Sequence, residues 1–202
     1  MTNADDKKAP EIDWVHLPAE IQAQGLWDCL HDAALRTVRS DLLNRTVIMT
    51  FDAFYIREYH NLPEGTLFDF IFDGVTSARV TTYAIWPGKF AVPKKASREE
   101  EDRLIKEYQS KWREESLGWN DFEKSLQKKE ASLTVLDPEL ALTDSAVSIK
   151  IGGLLNDKYH NMFIRASNLT IKRSDGKSLR LDDFIKLGRE YWQAFSEGIL
   201  KS

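Results

Sequence analysis

The chain has 202 residues, of which 42% are hydrophobic and 30% are charged, and its formal net charge is -4. This composition is typical of a soluble globular protein with a sizeable core, and the length predicts one domain. The acidic balance argues against nucleic-acid binding, which normally requires a basic surface. Because no run of about eighteen apolar residues occurs, we expect no membrane association through a spanning helix.

The beginning of the chain bears on the compartment. Residues 1–12 are polar and are predicted to be a disordered tail, followed by a single domain over residues 13–202. These first residues lack the apolar core of a secretory signal peptide. The one cysteine, Cys29, cannot form an internal disulfide. Both observations predict a cytoplasmic protein.

The segments after the tail favour a short helix and then β-structure. Residues 14–27 are consistent with a short helix or turn. Residues 35–38 and 46–51 are rich in branched side chains and flank a turn-like stretch, which predicts a hairpin. Residues 54–59 continue in an extended pattern.

A cleanly alternating segment follows at residues 66–73. Phe68, Phe70 and Phe72 fall on one face of a strand, and that face is predicted to belong to the core. A further strand at residues 78–86 would complete an antiparallel meander.

Residues 94–130 interrupt the β-pattern with ten basic and ten acidic residues. Ser97 and Glu100 match a capping box, which indicates the start of a helix. Gly118 suits the end of that helix, and Asn120 or Asp121 can cap a second short helix that carries Phe122 and Leu126. The segment is predicted to be a charged helical insertion between strands.

The first of these helices carries an apolar stripe at helical spacing. Leu104, Tyr108 and Trp112 form the stripe, and Trp119 follows near the second helix. These side chains are either core anchors or, if they are exposed, a surface that binds a protein partner.

The rest of the chain returns to strands before a final helix. Strand-like segments occupy residues 132–136, 146–151 and 160–171, and Asp175 with Gly176 marks a tight turn. From Asp182 onward a helix places apolar side chains on one side: Phe184, Tyr191, Trp192, Phe195 and Ile199. The predicted class is α+β, with an antiparallel sheet or sandwich, the charged helical insertion and the C-terminal helix.

Reactive side chains concentrate at residues 26–41, where Cys29, His31 and Asp32 are the candidates for catalysis. If the segment is extended, Cys29 and His31 share a face; if it is helical, Asp28 and Asp32 stack. A cysteine nucleophile needs a base within hydrogen-bonding distance, and attachment points about 7 Å apart on a strand are too distant for that. The structural alternative, which we favour, has Cys29 in the core and His31 and Asp32 bonded to local backbone. It predicts that Asp32→Ala costs about 1 to 2 kcal/mol through the loss of a cap-like hydrogen bond.

Other chemistries lack support in the sequence. The remaining histidines, His16, His60 and His160, are dispersed and do not have the spacing of a metal site, so no metal is expected. No Gly-x-Gly-x-x-Gly motif, phosphate-binding loop or Gly-x-Ser-x-Gly elbow occurs, and no cofactor is expected.

One part of the chain resembles known proteins. The residues that carry the resemblance are Leu30, His31, Asp32 and Ala33, followed by Leu35, Val38, Asp41 and the run from Thr46 to Phe51. Over residues 26–52 the chain resembles small bacterial proteins of unknown function, some of which are classed as presumed toxin-immunity proteins. In that pattern a His-Asp-Ala step leads into a hairpin and an antiparallel sheet. Leu30 stands where an aromatic residue is commoner, and the charged insertion is not part of the pattern. The resemblance implies a non-catalytic, β-rich domain in which the His31-Asp32 step is architectural.

Three functions are therefore considered. The first is a non-catalytic domain that binds another protein as an immunity-like or accessory factor. The second is a hydrolase-type enzyme that uses His31 with carboxylates from distant strands. The third is a structural protein that associates with itself through the helices of the insertion.

Overall fold

A computed structural model describes residues 18–41, 43–85, 93, 95–115, 117–128 and 131–199. The predicted tail at residues 1–12 lies outside this part of the chain. The core side chains of the described residues form one connected cluster.

The described residues form five helices and ten strands. The helices are α1 (Ala19–Leu30), α2 (Phe54–Tyr59), α3 (Arg98–Gln109), α4 (Trp119–Leu126) and α5 (Leu181–Ser196). The strands are β1 (Ala34–Asp41), β2 (Thr46–Asp52), β3 (Phe68–Asp73), β4 (Ser77–Ala84), β5 (Arg113–Glu115), β6 (Leu133–Thr143), β7 (Ala146–Leu155), β8 (Lys158–Ala166), β9 (Asn168–Arg173) and β10 (Ser178–Leu179). Among the described helices, none has both the length and the apolar character that crossing a membrane requires.

The strands of the described part of the chain form one antiparallel sheet. Its order is β10-β9-β3-β2-β1-β6-β7-β8-β4-β5, so the two shortest strands lie at the edges. The predicted α+β class, with an antiparallel sheet and a C-terminal helix, is confirmed.

One part of the core lies between the phenylalanine face of β3 and helix α5. Phe68, Phe70 and Phe72 are fully buried, as the alternation predicted. The ring of Phe184 on α5 lies edge-on to those of Phe68 and Phe70, at 5.0 and 5.3 Å between centroids. Edge-to-face aromatic pairs add to the free energy that area burial supplies. These contacts hold α5 against the sheet.

The extended structure predicted for residues 54–59 is wrong, because this segment is helix α2. Its aromatic and branched residues suit a strand locally, but the helix buries Tyr55 and Ile56 together and leaves Phe54 and Glu58 exposed. Residues four apart lie on one face of a helix, whereas adjacent residues on a strand point to opposite faces. Tertiary packing therefore overrode the local propensity.

The predicted charged helical insertion is confirmed, with two differences in detail. Ser97 caps α3, and its hydroxyl accepts a hydrogen bond from the Glu100 amide at 3.2 Å. Helix α3 already ends at Gln109, and the short strand β5 follows it. Gly118 does not end the first helix but is the N-cap of α4, so Asn120 and Asp121 lie inside that helix and do not cap it. Phe122 and Leu126 of α4 are buried.

A β-bulge interrupts the pairing of β6 with β7. Val135 pairs with Gly153 and Asp137 with Gly152, so the intervening residue of β6, Leu136, has no partner in the register. A Cβ atom on Gly153 would lie 3.0 Å from Leu133 Cγ and closer still to the Thr134 carbonyl oxygen. Gly152 and Gly153 therefore permit β7 to approach β6 closely at the bulge.

Candidate functional site

The end of α1 is held by a close crossing with α5. Gly188 faces the Asp28 carbonyl, and the Cys29 thiol donates to the Phe184 carbonyl at 3.3 Å. The Trp192 indole N–H donates to the Asp28 carbonyl at 2.8 Å. These contacts place the reactive stretch seen in the sequence against the C-terminal helix.

Cys29 lies in the core. Its side chain is fully buried, and burial raises the pKa of the thiol well above its usual value, with the nearby Asp28 carboxylate adding to the effect. The thiolate is the nucleophilic form of cysteine, and burial in apolar surroundings disfavours it. Since α1 continues to Leu30, Cys29 also does not share a strand face with His31. This environment suits packing and not nucleophilic catalysis.

His31 joins the end of α1 to the β6 bulge. Its Nδ1–H donates to the Leu136 carbonyl at 2.8 Å, and its ring stacks on Trp27 at 4.3 Å between centroids. A main-chain hydrogen bond joins the same two elements, because the Asp32 amide donates to the Val135 carbonyl at 2.9 Å. The His31 partner is thus a distant strand and not the local backbone that the sequence led us to expect.

Asp32 has a left-handed backbone, with φ at 68°, so it does not stack on Asp28. Its carboxylate is half exposed and lies 3.7 Å from His31 Nε2, while the Asp28 carboxylate accepts from Arg189 at 3.1 Å. The structure therefore indicates that the role of Asp32 is to adopt a left-handed backbone conformation, and not to form the predicted cap-like hydrogen bond. Asp, Asn and Gly tolerate the left-handed region better than other residues.

We expect Asp32→Ala to lower the free energy of unfolding by about 1 kcal/mol, because alanine is strained at this φ. Asp32→Gly should cost little or nothing for the same reason. Urea denaturation of both variants measures the difference. If glycine were as destabilising as alanine, the carboxylate itself would be the source of the stability.

An aromatic surface lies beside the end of α1 and the His31-Asp32 step. We define it by five side chains on two adjacent helices: Phe54 and Tyr59 of α2, and Tyr191, Trp192 and Phe195 of α5. Within it the Tyr191 ring lies 6.1 Å from Tyr59, 5.0 Å from Trp192 and 6.3 Å from Phe195. Phe54 and Phe195 are 45% and 48% exposed.

Buried contacts beneath the aromatic surface fix α2 against α5. The Tyr55 hydroxyl donates to the Cys29 carbonyl at 2.7 Å, and its ring packs 4.9 Å from that of Tyr191. His60 Nε2–H donates to the Leu187 carbonyl at 3.0 Å. The exposed rings are therefore presented by a fixed scaffold, which lowers the entropic cost of binding a partner.

The aromatic surface has an acidic border. Burial raises the pKa of Tyr191, and the carboxylates of Asp32 and Glu58 raise it further. Both carboxylates are on exposed residues. The negative potential at Tyr191 favours a positively charged partner, since cations are also attracted to the faces of aromatic rings.

The four predicted partner-binding residues of the insertion do not form one exposed stripe. Leu104 and Tyr108 are half-buried on α3, and the Trp112 ring packs 5.3 Å from Tyr159 of β8. Trp119 lines a different cavity of about 170 Å³. Tyr108 and Trp112 thus lie together, and Trp119 lies apart from them.

Sequence reasoning placed Tyr191, Trp192 and Phe195 on one helix side but did not nominate them as a site. The signal was present, because the apolar stripe of the final helix extends well beyond its core anchor Phe184, as far as Phe195. Ile199 lies after the end of α5 at Ser196. Phe54 and Tyr59 could not be recognised as site residues, because the pattern of residues 54–59 predicts an extended segment and not a helix. Without α2, no neighbour for the final helix could be identified.

Within the residues that the structure describes, no three His, Cys, Asp or Glu side chains come close enough together to hold a metal ion. His31 has one carboxylate nearby, Asp32, and its Nδ1 is held by the Leu136 carbonyl.

No protein-family model and no curated protein sequence matches the chain.

Proposed function

We propose that this protein is a non-catalytic domain that binds another protein, as an immunity-like or accessory factor, through the aromatic surface of α2 and α5. The observation that carries the proposal is the exposure of Phe195 next to half-buried Tyr191 and Trp192. Phe54 is also exposed, and its ring lies edge-on to that of Tyr55, which in turn packs against Tyr191. Contiguous apolar patches bordered by polar groups are typical of interaction sites, and aromatic residues dominate the energetics of interfaces.

The partner that fits this surface is a basic segment of a protein. Asp32 and Glu58 border the rings, and the chain as a whole has a net charge of -4. A lysine or arginine can contact an aromatic face while its charge lies near a carboxylate. The net charge also accelerates association with a basic partner, with an effect that salt reduces.

The test is a pull-down of native partners with tagged wild-type protein and a Phe54→Ser/Phe195→Ser variant. Leu43→Ser is the matched control, because Leu43 is 96% exposed on the turn between β1 and β2. We expect one stoichiometric, basic partner with the wild type and the control. With the purified partner, the double variant should bind about ten-fold or more weakly.

Three outcomes would contradict the proposal. The first is that the double variant retains the partner at full affinity, and the second is that the wild type recovers no partner. Alternatively, sedimentation would show a dimer of this chain that the double variant abolishes, which would assign the surface to self-association. An immunity-like role further requires that the partner be toxic when it is expressed alone and harmless when it is expressed with this chain.

A further inference from the structure

A second site lies between the insertion and the sheet, on elements other than those of the aromatic surface. A cavity of about 290 Å³ is lined by Tyr83 of β4, Gln109 of α3, Tyr159 of β8 and Trp112. The Tyr159 ring lies 5.3 Å from Trp112 and 6.4 Å from Tyr83, and it is tilted by 49° and 44° to them. Three non-parallel aromatic rings thus form walls of one cavity.

The position of Tyr159 depends on the β6 bulge. Its hydroxyl donates to the Asp137 carboxylate at 2.8 Å across Gly152. A Cβ atom on Gly152 would lie 2.9 Å from the Tyr159 ring carbon Cζ and 3.1 Å from Asp137 Cβ. The Gly152 position therefore provides the space in which the ring and the carboxylate meet.

Carboxylates lie close to the Tyr159 hydroxyl, at one end of the cavity wall. Burial raises the pKa of the Tyr159 hydroxyl, and the hydrogen bond to Asp137 and the charges of Asp137 and Glu139 raise it further. The neighbouring lysines are paired elsewhere. Lys150 bonds to Glu139 at 2.6 Å and Lys158 to Glu115 at 2.5 Å, whereas the Asp137 carboxylate accepts from a neutral hydroxyl.

We propose that this cavity binds a compact organic cation, specifically a quaternary ammonium group. Aromatic faces attract a cation through their quadrupoles, and a nearby carboxylate adds a direct charge interaction. A quaternary ammonium has no N–H groups that need acceptors, and its methyl groups can pack on the rings of Tyr83, Trp112 and Tyr159 that line the cavity. The volume is at the lower end for ligand pockets and fits a small group.

The test uses two molecules of the same shape on the wild-type protein. Choline carries the quaternary ammonium, and 3,3-dimethylbutan-1-ol is its neutral carbon isostere. Two-dimensional NMR titration should show saturable shifts with choline at millimolar concentrations and binding at least about ten-fold weaker with the isostere. Equal binding of the two molecules, or no saturable shift with choline, would overturn the proposal.

Variants of the full-length chain assign the binding to this cavity. Trp112→Leu should weaken choline binding about ten-fold or more, and Asp137→Asn about three-fold or more, as expected when a ring or a charge is lost. Leu43→Ser, on the exposed turn between β1 and β2, is the control and should leave choline binding unchanged. Unchanged binding in both cavity variants would place the cation elsewhere and overturn the assignment.

Discussion

Gly188→Ala is expected to lower the free energy of unfolding by about 3 kcal/mol, which corresponds to a Tm lower by roughly 6 to 12 °C. A Cβ atom at this position would lie 2.8 Å from the Asp28 carbonyl carbon and 2.8 Å from Cys29 Sγ, and closer still to the Asp28 carbonyl oxygen. Backbone cannot move aside as a flexible side chain can. Helices α1 and α5 would have to separate, and the hydrogen bond from Trp192 to Asp28 would lengthen.

Gly118→Ala is the control for Gly188→Ala. A Cβ atom on Gly118 would meet only the Asp121 carboxylate, at an ordinary contact distance of 3.6 Å, and the φ of Gly118 is -69°. Its cost should be at most about 0.5 kcal/mol, because the loss of a favoured capping residue is offset by the lower conformational entropy of the unfolded chain with alanine. Guanidinium denaturation monitors both variants. A Gly188→Ala variant as stable as Gly118→Ala would mean that α1 and α5 do not cross this closely.

Phe70→Ala is expected to lower the free energy of unfolding by about 4 kcal/mol, in the range for a buried phenylalanine. The ring is fully buried, and it contacts Phe51 at 5.1 Å and Phe184 at 5.3 Å between centroids. Its removal would leave a cavity between the sheet and α5, bordered by rings that cannot easily collapse into it.

The neighbour of Phe70 provides the comparison. Ile71 lies on the opposite face of β3 and is only half-buried, so Ile71→Ala should cost about 1 kcal/mol. Denaturation midpoints of the two variants, measured side by side, give the difference directly. Equal losses would contradict the assignment of the phenylalanine face to the core.

Local patterns in the sequence were sufficient where the environment of a residue depends on near neighbours. The alternation of Phe68, Phe70 and Phe72 correctly predicted a buried strand face, and the Ser97 capping box correctly predicted the start of α3. Both signals arise within one element, from the period of a strand or the unpaired amides of a first helical turn.

The site could not be predicted in the same way, because its contacts join distant parts of the chain. The partner of His31 is the carbonyl of Leu136, exposed by a bulge that no local pattern marks. Nothing in the local sequence marks Gly152 as the position over which Tyr159 and Asp137 meet. The α2 segment was misread for a related reason, since its helix depends on packing against α5.

The two outermost strands of the described sheet have a consequence for solubility. β10 has two residues, and β5 has three residues, which are all charged. Neither strand therefore offers a long row of unpaired backbone groups to another chain. Exposed edges of this kind, when long and apolar, promote aggregation by strand addition. Strand addition directly onto β10 or β5 is therefore disfavoured, even though the protein exposes aromatic rings on its helices.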